Sequence, residues 1–299
     1  MCGRGGVIHQ LIYDLLVSPF AEFEFMRRAL VGVSGLALGA APIGVLLTLR
    51  RMSLMGDAMA HAILPGAAIG YLVSGLSLLA MTTGGLIAGL VVALAAGGVA
   101  RATKLKEDAS LAALFLVSLA LGVVIVSLRG NSIDLLHFLF GNVLALDNET
   151  LVLIAAVATI SLLTLALIWR PLVLESVDAG FLRSVSRSGG PAHISFLALV
   201  ALNLVGGFQA LGTLLAVGIM ILPAVISRFW SRDLTTMTVN AVVAGIVSGY
   251  CGLLLSYHAG LPAGPAIILF AGAAYCGSVL FGQYGGLLRG LVSRRHLEA

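Results

Sequence analysis

Charged side chains are scarce in this chain of 299 residues. Asp, Glu, Lys and Arg make up 10% of it, against about 25% in an ordinary soluble domain. That shortage excludes a water-covered globule of this size. Cysteine is almost absent too: Cys2, Cys251 and Cys276 have no CxxC spacing, and two of them lie in apolar runs. A disulfide framework or a thiolate metal site is excluded, and the thiols read as small apolar-like side chains. The net charge of +4 is spread over short connections with no basic tract, which excludes a nucleic-acid partner. No Gly-rich phosphate loop ending in Lys-Ser/Thr occurs, so the chain carries no nucleotide-hydrolysing site of that kind. No HExxH or comparable cluster supplies the three ligands and general base that a metal enzyme needs. The chain reads as a non-enzyme. The first ten residues have no apolar core and do not read as a signal peptide.

Apolar residues, in contrast, make up 60%, with a mean hydropathy of +1.09. They come in blocks of roughly 20, enough for a helix to cross a hydrocarbon layer about 30 Å thick. The expectation is an all-α integral membrane protein, a polytopic bundle of about eight or nine transmembrane helices, some of them broken. Candidate spans are 29–49, 54–76, 82–100, 109–128, 150–169, 193–208, 211–227, 236–257 and 263–284. Residues 131–150, with Phe140-Gly141-Asn142, read as a re-entrant or interfacial piece. Only Gln209-Ala210 separates 193–208 from 211–227, which reads as two short spans or a span plus a half-helix. Cations cluster on alternate connections: Arg50-Arg51, Arg101 to Lys106, Arg170 to Arg187, Arg228/Arg232 and Arg289 to Arg295. Placing these in the cytoplasm obeys the positive-inside rule, with Arg27-Arg28 as the exception. Nine spans then put the N-terminus outside; eight put it inside.

The stretch with the most chemistry is Arg50-Arg51-Met52-Ser53-Leu54-Met55-Gly56-Asp57-Ala58-Met59-Ala60-His61, followed by Ala62-Ile63-Leu64-Pro65-Gly66. Asp57 and His61 are four apart, one turn on one face of a helix. Acidic and imidazole groups at membrane depth are costly and face a bundle interior or a wet cavity. Oxygen plus imidazole nitrogen suits divalent transition metals. The same spacing also fits a plain helix-stabilising contact. Pro65-Gly66 reads as the break in this helix and the point of gating. Pro42, Pro223 and Pro262 mark further breaks, and Gly84-Gly85, Gly97-Gly98 and Gly206-Gly207 mark close helix approach. Asp134 and His137, three apart, and His258 are secondary metal candidates at the outer mouth. His9 and His193 read as structural or incidental. The long connection of about 171–192 carries Glu175, Asp178, Phe181, Leu182 and Val185. Asp178 there reads as the cap of a short amphipathic helix ended by Ser188-Gly189-Gly190-Pro191. Such a helix docks a partner or lies on the bilayer.

Four elements carry a resemblance in order along residues 28–284: Arg50-Arg51-Met52-Ser53 with Gly56-Asp57 and His61-Ala62; Leu139-Phe140-Gly141-Asn142; Leu211-Gly212-Thr213 running to Ile221-Leu222-Pro223-Ala224; and Gly252 to Tyr257 with Leu261-Pro262-Ala263-Gly264-Pro265. They resemble the permease subunit of the ABC importers for manganese, zinc and iron. The resemblance implies a bacterial cytoplasmic (inner) membrane and pairing with a second copy of the chain. It implies two ATP-binding cassette subunits, which hydrolyse the ATP, and an extracytoplasmic metal-binding protein. Residues 175–188 then correspond to the cytoplasmic coupling helix, with Leu182 and Ser186 where the family often has Ala and Gly. Gly260 stands where relatives often carry an acid. The implied cargo is a divalent metal, zinc slightly ahead of manganese because the Arg-Arg-Met-Ser run looks nearest to zinc-type relatives, with no permanently bound cofactor. A metal chelate or cobalamin-like cargo, and an ATP-independent carrier, are the alternatives. The chain divides into an N-terminal extension (1–27), interfacial or disordered, a permease domain (28–285) and a cytoplasmic tail (286–299).

Overall fold

A computed structural model describes residues 13–75, 77–103, 105, 107–127, 143–177 and 189–288. Every regular element among them is helical. An apolar chain in hydrocarbon has no water to satisfy its amides, and a helix satisfies them within the segment. A short α1 (Ser18–Glu22) leads into α2 (Glu24–Leu49). The second candidate span is split into α3 (Leu54–Ala62) and α4 (Leu64–Ser74). Then come α5 (Leu78–Ala102), α6 (Glu107–Ser127) and, after a 3-10 turn at Val143–Ala145, α7 (Asn148–Val177). The last four are α8 (Gly189–Leu211), α9 (Thr213–Trp230), α10 (Leu234–Ala259) and α11 (Ala263–Phe281).

Seven of these are long and apolar enough to cross a membrane, and α6 contributes a shorter apolar stretch, Ala109–Ile125. Helices α2 and α8 are largely buried, whereas α5, α7 and α11 show most of their surface. Helix α2 packs on α7, α8, α9 and α10; α8 packs on α5, α7 and α9. These two helices are the core, and the exposed Leu, Val and Ile of the outer helices form the lipid-facing shell expected of such a bundle.

Contacts at the two ends of α2 decide the span count. Its first turn meets Leu146, just before α7, where Arg28 Nη1 donates to the Leu146 carbonyl at 3.4 Å. Its last residues meet the far end of α7, through Arg50 and Glu175. Helices α2 and α7 therefore run parallel, which requires an odd number of crossings between them. Three satisfy this: α3 with α4, then α5, then α6. Phe23, ahead of α2, lies 5.7 Å from the ring of Tyr257 near the end of α10, so α10 runs antiparallel to α2. Helices α8 and α9 are two full helices joined by Gly212 alone (φ 91°). A Cβ on Gly207 would lie 2.8 Å from that of Ala216, although nine residues of continuous helix would separate them by about 13 Å. The chain thus folds back at Gly212, as two spans rather than a span plus a half-helix. This gives nine crossings among the described residues, with the start of α2 and the end of α11 on opposite sides; the cation-bearing connections put the former outside.

Arg27 and Arg28 then sit at the outer end, against the positive-inside rule, but locally satisfied. Arg28 pairs with Glu24 at 2.7 Å, and Arg27 donates to the Ala21 carbonyl at 2.9 Å. The segment before α2 lies along α10: Tyr250 donates to the Leu16 carbonyl at 2.8 Å and its ring stacks on Phe20.

Several expected boundaries move. Helix α7 continues through Pro171 to Val177, eight residues past the expected end at 169. Gly189-Gly190-Pro191, expected to end a helix, open α8 instead; a proline in a first turn removes only an amide without an intrahelical acceptor. Pro42 and Pro223 lie inside α2 and α9 rather than at breaks; packed neighbours hold a transmembrane helix through a proline. Of the glycine pairs, Gly84-Gly85 and Gly206-Gly207 are in close contact as expected, but Gly98 faces open space.

Candidate functional site

Helix α3 has nine residues, with Asp57 in its first turn and His61 in its last. Their side chains share one face: His61 Nε2 and Asp57 Oδ1 lie 3.9 Å apart. That is too long for a hydrogen bond. An ion at about 2.0–2.2 Å from each, the usual range for such donors, fits between them with an obtuse angle. Asp57 is exposed at 66% and His61 at 29%, so the pair faces outward with room for further ligands. The His61 ring lies against Phe115 of α6, 6.2 Å between centroids. Among the described residues no three His, Cys, Asp or Glu side chains converge.

Pro65 stops α3 because it lacks the amide that would bond the His61 carbonyl. Ile63 caps the end of α3 and the start of α4. The carbonyl of Ala62 receives the buried Ser118 hydroxyl of α6 at 2.9 Å, so a helix end at membrane depth is supplied with a donor. The break is clamped on two sides. Ile63 sits over Gly85 and Gly89 of α5, and Pro65 over Gly122 of α6. Gly66 and Gly70 touch the backbone of Gly84 and Ala80, a small-xxx-small contact on both helices. The imidazole and the carboxylate are thus carried by a short helix whose lower end is free of this clamp and whose upper end is fixed.

The other candidates fall elsewhere. His258, at the end of α10, donates from Nε2 to the Leu15 carbonyl at 3.0 Å and packs edge-on against Tyr257. Its distal nitrogen is committed to the N-terminal segment. Asp134, His137, Asp178, Phe181, Leu182 and Val185 lie outside the described residues. Glu175, in the last turns of α7, pairs with Arg50 at 2.9 Å. Arg50 Nε donates to Ser176 Oγ at 3.1 Å, and its Nη1 approaches His193 Nδ1 to 3.3 Å. The guanidinium also lies 4.8 Å over the Phe196 ring. Sequence reasoning treated Arg50 as a topogenic charge and the start of a family motif, and His193 as structural or incidental, without joining them. No signal in the sequence links residues more than a hundred positions apart, although an Arg that opens the motif-bearing stretch invited the question. Asp147 and Asp233 cap α7 and α10. Hydrogen bonds from the Thr150 side chain and amide hold the Asp147 carboxyl below the usual range, and bonds from the Thr236 amide and hydroxyl do the same for Asp233.

A broken helix carrying an ionisable pair within a multi-pass apolar bundle is an arrangement common in polytopic transport proteins. The comparisons with known proteins agree. Residues 22–282 match the model of the ABC 3 transport family. The manganese transport system membrane protein MntC of Listeria monocytogenes is 31% identical over 92% of this chain and 96% of its own length. Its namesake from Halalkalibacterium halodurans is 30% identical over 92% of each chain. A probable iron transport system membrane protein of Haemophilus influenzae is 29% identical over 88% of this chain and 96% of its own length. The structure of PsaBC from Streptococcus pneumoniae in complex with Fab superposes with a TM-score of 0.80 at 27% identity, covering 93% of this chain and 99% of that one. The chain belongs to the ABC 3 transport family, as a multi-pass membrane permease, and the resemblance read from the four sequence elements holds.

Proposed function

We propose that this chain is the membrane-spanning subunit of an ATP-driven importer that moves a divalent metal ion into the cytoplasm, with manganese the cargo. The observation that carries the reading is the Asp57–His61 pair, 3.9 Å apart on the short helix that ends at Pro65. A divalent ion in hydrocarbon is prohibitive, and a carboxylate with an imidazole lowers that barrier. Two ligands are fewer than a closed site takes, and incomplete ligation lets the ion leave. Water or the same pair on a second copy completes the shell. Manganese replaces the initial preference for zinc, because two of the relatives are named for manganese and none of the three for zinc. A hard carboxylate with a single imidazole accords with that ion.

The working assembly is two copies of this chain, two ATP-binding cassette subunits at the cytoplasmic end and a metal-delivering protein outside. The ATPase engages the connection between α7 and α8, and hydrolysis there alternates which side of the Asp57–His61 pair is open. Labelled manganese, zinc and iron, in competition, are offered to the purified complex with its binding protein in proteoliposomes. The expected result is ATP-dependent manganese uptake that falls roughly tenfold or more, about 1.4 kcal/mol in barrier, in Asp57→Asn and His61→Ala. Unchanged uptake in an assembled Asp57→Asn/His61→Ala complex would sink the site. Uptake without any ATPase subunit would replace the importer by a carrier.

A further inference from the structure

The end of α7 and the start of α8 meet on a single side chain. The Arg50 guanidinium, at the end of α2, donates to Glu175 Oε2 at 2.9 Å, to Ser176 Oγ at 3.1 Å and to the Leu172 carbonyl at 3.3 Å, all in the last turns of α7. It meets His193 Nδ1 at 3.3 Å and covers Phe196 at 4.8 Å, both in the first two turns of α8. His193 Nδ1 also lies 3.8 Å from Glu175 Oε1. The Arg50 side chain is only 9% exposed and that of Glu175 20%. A pair so enclosed holds its partners far more firmly than a surface pair, and removing one member strands the other. Polar contacts shared among several partners tie the ends of α2, α7 and α8 into one block.

On its other side the block is joined to α3. Arg51 has φ 59°, a left-handed conformation that a residue with a β-carbon adopts only when its surroundings hold it there. The Met52 amide returns to the Leu47 carbonyl at 2.9 Å, and the Met55 amide bonds the Met52 carbonyl at 3.0 Å. Helix α3 starts at Leu54 with Asp57 in its first turn. No flexible spacer separates the block from the helix bearing the pair, and Met55 and Met59 of that helix are buried in the core.

We propose that the Arg50–Glu175–His193 cluster is the joint that passes movement of the adjoining ends of α7 and α8 to α3 and its Asp57–His61 pair, with Arg51 as the hinge. Arg50 and Glu175 are positioning residues and touch no cargo. The transport part of this inference rests on the reading that the ATPase engages the connection between α7 and α8.

Two measurements test it, on wild type, Glu175→Gln and the double variant Arg50→Met/Glu175→Met. The double variant removes both charges together and so leaves none stranded, which preserves folding. In proteoliposomes carrying the whole complex, manganese uptake per ATP hydrolysed is expected to fall roughly tenfold, a typical coupling factor. The ATPase subunits stay bound and hydrolyse at their basal rate. Wild-type stoichiometry in an assembled double variant overturns the joint; so does a parallel fall of uptake and hydrolysis with loss of assembly. Hydrogen exchange on the full chain in detergent needs no transport. Amides 52–57 are expected to exchange roughly tenfold faster in the double variant, together with those of 189–193, as a coupled local opening does. Loosening confined to α7 and α8 overturns the joint. A wild-type complex without ATP-driven uptake sinks the importer reading, while hydrogen exchange still decides whether the cluster links the ends of α7 and α8 to α3.

Discussion

Ser118 shows how much a single hydroxyl does at membrane depth. It is the donor for the Ala62 carbonyl, beside a break where Pro65 has withdrawn one amide. Ser118→Ala is expected to cost about 1 kcal/mol, in the range of interhelical hydrogen bonds in membranes. Ser118→Thr, which keeps the hydroxyl, is expected to retain most of the stability; thermal unfolding in detergent distinguishes them. Asp147 gives a pH-dependent counterpart in water. Its carboxylate accepts from the Thr150 amide at 2.8 Å at the start of α7, and its pKa is lowered in the folded chain. A lowered folded pKa contributes stability that is fully present above the unfolded value of about 4 and is lost as pH falls through the folded value. Asp147→Ala is therefore expected to lose about 1 kcal/mol, the usual cost of an N-cap, at neutral pH. The gap between variant and wild type should stay constant down to about pH 5 and close below that, as the carboxyl protonates. Melting curves across pH read this directly. The N-caps were open to sequence reasoning in principle, since Asp147 and Asp233 each stand three residues ahead of a Thr at the expected start of a span. The donor at Ser118 was not, because a lone Ser in an apolar helix announces no partner.

At the scale of elements, the α4–α5 pair rests on the absence of side chains. A Cβ on Gly66 would strike the Gly84 carbonyl and lie 2.6 Å from Ala88 Cβ, while one on Gly98 of the same α5 would meet nothing within 4 Å. Gly66→Ala is therefore expected to force α4 off α5 and destabilise the protein by about 1–3 kcal/mol, as overpacking does. Gly98→Ala is expected to leave stability unchanged or raise it by up to about 1 kcal/mol through helix propensity. Denaturation in detergent compares the two, and the reverse order would refute the packing account. Both glycines sit in apolar runs, and both were read as marked positions, one beside a break and one in a close-approach pair. Their difference lies in what faces them, which periodicity does not encode. The break at Ile63, by contrast, was legible from Pro65, since the loss of an amide is a local fact.

For the whole molecule, the end contacts of α2 give nine crossings among the described residues, with opposite sides for its start and the end of α11. In a background with Cys2, Cys251 and Cys276 replaced by Ser, Ala259→Cys is expected to react with an impermeant thiol reagent from outside intact cells. Arg51→Cys is expected to react only after the cytoplasmic face is exposed. Labelling of both from one side would break the nine-crossing arrangement. Composition alone determined that this chain is a helical bundle in a membrane, because no other backbone arrangement without a closed barrel satisfies its amides there. Local spacing determined that Asp57 and His61 share a face and that the helix stops at Pro65. Only the tertiary structure decided that Glu175 turns inward to Arg50, that His193 joins them, and that α8 and α9 fold back at Gly212. Those facts depend on which distant segments meet, and the uniformly apolar pattern of the spans carries no record of their partners.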